Sequence, residues 1–94
     1  MPRDREEESF RRRLFRGWIE SSSGFKVRIP GRVGIEYQDA TGTYVIDAET
    51  MSSRPLTTVT SRDAFAVPPT LGADQVCDNV RRAFVHARWH LEVY

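Results

Sequence analysis

The chain has 94 residues, 39% of them hydrophobic and 29% charged, with ten aromatic side chains. That length and composition describe one folded domain, large enough for a single core but not for a core plus a deep supported cleft. The net charge of +1 conceals an asymmetry. Residues 1–32 hold nine Lys/Arg against five acids, and residues 33–94 hold five against eight. The single cysteine, Cys77, excludes an intrachain disulfide and points to a reducing, cytoplasmic setting. No apolar run approaches the ~20 residues that span a bilayer. The charged start, Met1 to Glu8, leads into no hydrophobic core of a secretory signal.

In chain order, residues 1–20 are expected to be a charged arm. Its first nine residues are nearly all polar and have little to bury. Phe10, Leu14 and Trp18 then recur every four residues, so the arm is either partly disordered or a short helix. A single α+β domain is expected over 21–94. Phe25, Val27 and Ile29 alternate with Lys26 and Arg28, as in a half-buried strand. Val33, Ile35 and Tyr37, and then Tyr44, Ile46 and Ala48, repeat the pattern around a loop at 39–42.

These alternations predict pairing partners. The 39–42 loop sets Tyr37 against Tyr44, Ile35 against Ile46 and Val33 against Ala48, with all six on one face. A turn at 30–32 sets Val27 against Ile35. Ser52-Ser53-Arg54-Pro55 predicts a turn, Leu56–Thr60 a fourth strand, and Phe65 with Val67 a short fifth before Pro68-Pro69.

Thr70 is a candidate N-cap, with Asp74 in the first turn of a helix over about 71–88. Val76, Val80, Ala83, Phe84 and Ala87 form its apolar stripe, with Cys77 at the edge and Asp78, Arg81, Arg82 and Arg88 opposite. Trp89, Leu91 and Val93 alternate to the end as a final strand. The expected fold is therefore a mostly antiparallel β-meander of four to six strands. One C-terminal amphipathic helix packs on one face.

Chemistry-bearing patterns are few. His86 and His90 have the spacing of zinc ligands on one helix. The helix is expected to end between them, so they read as surface imidazoles and no metal is expected. Cys77 lies on an apolar helix face, where a cysteine acts as a small hydrophobe rather than a nucleophile. No nucleophile elbow, phosphate-binding loop or dinucleotide fingerprint is present. No catalytic residue, cofactor or enzymatic activity is expected. Glu36, Asp47 and Glu49 point away from the core in the predicted register. They form an acidic sheet face suited to a basic partner, or a solvated face with Glu49 paired to Arg32 or Lys26. An alternative reading gives Arg11, Arg12 and Arg13, with Phe10, Phe15 and Trp18, to nucleic acid.

The segment GRVGIEYQDATGTYVIDAETM (31–51), the strand LTTVT, the proline-flanked loop, the helix DQVCDNVRRAFVHA (74–87) and the closing WHLEVY resemble the immunity protein 74 family. Its members are small α+β domains of bacterial toxin–immunity systems. The resemblance covers residues 31–94 and is sharpest at Asp47-Ala48-Glu49 and at NVRRAF, residues 79–84. It implies a non-enzymatic inhibitor that binds a cognate toxin.

Overall fold

The computed structural model describes residues 8–12, 17–51, 56–69 and 71–94. Seven strands form one sheet in sequence order: β1 (Phe10–Arg12), β2 (Ile19–Ser21), β3 (Lys26–Arg28), β4 (Val33–Asp39), β5 (Gly42–Met51), β6 (Thr57–Thr60) and β7 (His90–Val93). Every pairing is antiparallel except β6 with β7. The parallel pair is joined by a 3-10 helix (Arg62–Ala66) and one α-helix, α1 (Ala73–Ala87). Parallel neighbours need such a long crossover, and here it carries α1 onto the sheet.

The core forms where two periodicities meet. Strand alternation places Ile19, Val27, Ile35, Tyr37, Ile46, Ala48 and Leu91 on one face, and all are buried. The α1 stripe of Val76, Val80, Ala83, Phe84 and Ala87 covers them, joined by Phe65 from the 3-10 helix. Each large side chain in this interior gains about 1.5–3 kcal/mol from leaving water. The sheet also wraps around the helix. On the β1 side Phe10 stacks on His86 with ring centres 5.5 Å apart, and the Arg12 guanidinium lies 5.3 Å from the centre of the Trp89 ring, just before β7.

The expected α+β architecture is present, with differences that have identifiable causes. The helical spacing of Phe10, Leu14 and Trp18 does not make a helix at either described end of that segment. Residues 10–12 and 19–21 are strands, pairing Phe10 with Ser21 and Arg12 with Ile19, and they bring the sheet to seven strands. Backbone pairing with a neighbour outweighs the local pattern in such short elements.

The Tyr37–Tyr44 and Ile35–Ile46 pairs stand as expected. Val33 faces Glu49 instead of Ala48, because the register shifts there: β5 has two residues, Asp47 and Ala48, opposite the single Gly34 of β4. Gly34 accommodates this bulge: its φ is +87°, and a Cβ there would lie 3.0 Å from Val45 Cγ1, so only glycine fits without strain. Upstream, Val27 pairs with Tyr37 rather than Ile35. The shift is two residues, so every side chain keeps its face.

Phe65 is buried in the 3-10 helix rather than in a fifth strand. The turn expected at 52–55 and the cap expected at Thr70 lie outside the described residues; Gly72 occupies the N-cap position. At the other end of α1, Arg88 has φ 61° and ψ 34°, with its N–H directed to the carbonyls of Phe84 and Val85. It is the one non-glycine residue with positive φ among the described residues.

A left-handed conformation costs an L-residue roughly 1–2 kcal/mol, part of which glycine returns through its greater freedom when unfolded. Arg88→Gly should therefore raise stability by about 0.5–1 kcal/mol. Gly34→Ala should lower it by about 1–2 kcal/mol. Denaturant unfolding of the two variants checks the signs; a neutral Gly34→Ala would contradict the bulge.

Candidate functional site

The second face of the sheet has no helix on it among the described residues. Its composition follows from the alternation that builds the core. Along β5, Ile46 and Ala48 point inward, so Val45, Asp47, Glu49 and Met51 point outward, and all four are exposed. At ~3.4 Å per residue this stripe is about 20 Å long. The bulge opposite Gly34 adds Val33, which turns outward opposite Glu49 and is 69% exposed. Val45 is 62% exposed and Met51 58%. The site is a shallow apolar strip with two carboxylates at its centre.

Glu36, Asp47 and Glu49 do not form one acidic cluster. Glu36 also faces outward, but its carboxylate lies 3.1 Å from Arg28 Nη2. Arg28 in turn sits over the Trp18 ring, 4.7 Å from its centre, and Lys26 Nζ lies over the same ring at 4.7 Å. This ion pair beside a shielded tryptophan makes β2–β4 a patch whose charges largely offset one another. Asp47 and Glu49 have no ion-pair partner among the described residues, and Arg32 meets this region only through its carbonyl, which accepts from Thr50 N–H at 2.7 Å. Their charge is therefore presented to solvent together with the exposed Val33, Val45 and Met51. Apolar surface beside uncompensated charge is what a partner of opposite sign can cover.

The remaining sequence candidates are dispersed. His86 lies in the last turn of α1 against Phe10, whereas His90 is on β7 with Nε2 3.4 Å from Glu92. No group of three or more His, Cys, Asp or Glu side chains that could hold a metal ion occurs among the described residues. Cys77 is half-buried and lines an open cleft of about 320 Å³ with Arg62, Asp74, Asp78, Arg81 and Val93. There Arg62 is held by Asp74. Arg11 lies 3.7 Å from Glu20, and Arg12 covers Trp89. Arg13 is outside the described residues. No helix among those described is long and apolar enough to cross a membrane.

One polar constellation escaped the sequence reading. Asn79 is buried within the α1 stripe and donates to the Tyr37 hydroxyl at 3.1 Å. Its Oδ1 accepts from Gln75 Nε2 at 2.9 Å and from Arg82. Arg82 also bonds Asp78 at 3.1 Å and pairs with Glu8, whose side chain is only 3% exposed. The Ser21 hydroxyl donates to the same Glu8 carboxylate. Burial pushes the Tyr37 phenol above its ordinary value, with the Asn79 bond opposing and Asp39 adding to the rise. The signal in the sequence was Asn79 itself, an amide among Val76, Val80 and Ala83, since a buried amide requires partners. The network's role is structural: it fastens the arm to the helix under the covered face.

Arg82→Ala strands the Glu8 carboxylate in a nearly dry site and should cost about 2–3 kcal/mol. Arg81→Ala, one residue away and exposed, should change stability by less than about 0.5 kcal/mol. Equal losses in urea unfolding would contradict this assignment. No family model, curated protein or solved structure matches the chain.

Proposed function

We propose that the protein is a non-enzymatic interaction protein, an immunity protein that binds and neutralises a bacterial toxin through the outward stripe of β5. The observation that carries this reading is the exposure of Val33, Val45 and Met51 around Asp47 and Glu49, which have no ion-pair partner among the described residues. The resemblance of residues 31–94 to the immunity protein 74 family supports the toxin as partner. A basic, substrate-binding toxin surface is the complementary chemistry. Acidic charges speed the encounter with it, and the apolar strip supplies the area that holds the complex. The site of action is the cytoplasm, where Cys77 stays a free thiol. The alternative, nucleic acid at Arg11, Arg12 and Arg13, has less behind it: Arg11 lies 3.7 Å from Glu20, Arg12 lies over Trp89, and Arg13 is outside the described residues.

The test begins with the product of a toxin-like reading frame beside the gene. Co-expression should rescue growth from that product's toxicity. Asp47→Lys combined with Glu49→Lys should fold normally, lose the rescue and weaken binding at least about tenfold, or 1.4 kcal/mol. Wild-type binding should also slow as salt rises. A harmless neighbouring product, or a charge-reversed variant that still binds and protects fully, would overturn the proposal.

A further inference from the structure

The two margins of the sheet are built differently. β1 carries Arg11 and Arg12 and is strapped to α1 through Glu8–Arg82 and Phe10–His86. Among the described residues β7 pairs only with β6. That ladder uses alternate residues: His90 N–H donates to Leu56 C=O at 2.8 Å and Tyr94 N–H to Thr60 C=O at 3.1 Å. In a parallel pair the intervening residues aim their backbone groups the other way. The N–H and C=O groups of Leu91 and Val93 thus point off the sheet, with no backbone partner among the described residues. This strand has no lysine, proline or bulge, and the short length and Glu92 are its only edge-blunting features. Trp89 and Val93 on its inner side are left half-buried.

We propose that this edge takes a second copy of the chain, with β7 pairing antiparallel to β7 about a twofold axis through Leu91. Charge selects the register. An axis through Glu92 would set two Glu92 carboxylates directly opposite one another, which is destabilising. The axis through Leu91 sets His90 of each copy opposite Glu92 of the other, on the outer face. On the inner face Leu91 meets Leu91, and Val93 meets Trp89, an aromatic–β-branched pair of the kind that stabilises sheets. Trp89 N–H is committed to the Phe84 carbonyl at 2.9 Å. The interface bonds therefore run from Leu91 N–H to the opposing Leu91 C=O, and from Val93 N–H to the opposing Trp89 C=O, in both directions. A neutral His90 can still donate one ring N–H to the opposing carboxylate. The β5 stripe stays open, because β6 separates it from β7. The pairing does not depend on the toxin-binding reading.

Sedimentation equilibrium of the full chain tests this directly. The wild type should be a dimer at about 100 µM, where an interface of micromolar Kd is filled. Val93→Pro removes an outward N–H without touching the ladder to β6, as proline can on an edge. It should leave the circular dichroism unchanged and the protein monomeric. His90→Glu should weaken the dimer at least tenfold, and His90→Glu with Glu92→His should restore it. A wild-type monomer at that concentration overturns the proposal. So does a dimer indifferent to Val93→Pro, or one that Val93→Pro abolishes but the charge variants leave untouched.

Discussion

Everything in this molecule depends on α1 lying across the inner face of the sheet. Neither part is stable alone: a 15-residue helix of this composition is marginal in water, and a one-layer sheet leaves its apolar face wet. The contact of Phe84, Val80, Ala83 and Val76 with Ile35, Tyr37, Ile46 and Val27 removes both problems. It also decides which side chains are left on the surface. Covering one face commits strand alternation to present Val45, Asp47, Glu49 and Met51 on the other.

The covering is not purely apolar. Asn79, Tyr37, Arg82 and Glu8 form a polar seam where the helix, the central sheet and the arm meet. Such a seam adds little net stability when complete, but it costs much when half-made. It therefore favours one placement of the arm over others. Phe10 on His86 and Arg12 on Trp89 reinforce that placement and close the β1 side of the half-wrapped sheet. On the other side β7 ends the sheet with its backbone groups facing outward. The asymmetry of the two margins is a property of the fold, not of any one residue.

Much of this was legible in the sequence because burial is periodic. The alternation from 25 to 49 and the stripe from 76 to 87 each mark one face, and both faces lie where the patterns put them except at Val33, which turns outward. What escaped depends on events that periodicity does not encode. The bulge opposite Gly34, with its single positive φ, changes the partner of Val33. A two-residue register shift at β3–β4 leaves the facing pattern intact and so is invisible to it. Phe10 and Trp18 look like one helical face, yet Phe10 lies inward against Phe25 while Trp18 lies beneath Lys26 and Arg28. Of the acidic site, exposure was readable but pairing was not. Glu36 is taken by Arg28 across the sheet, whereas Asp47 and Glu49 have no such cation among the described residues.

The two-faced sheet is the central claim, and site-directed thiol labelling tests it most directly. In a Cys77→Ala background, cysteine placed at Val45 should react with a maleimide under native conditions as fast as a free peptide thiol. Cysteine placed at Val80 should react only when the protein unfolds, and denaturant should abolish the difference. Rapid native labelling at Val80, or protection at Val45 in the isolated monomer, would contradict a sheet covered by α1 on one side and open on the other.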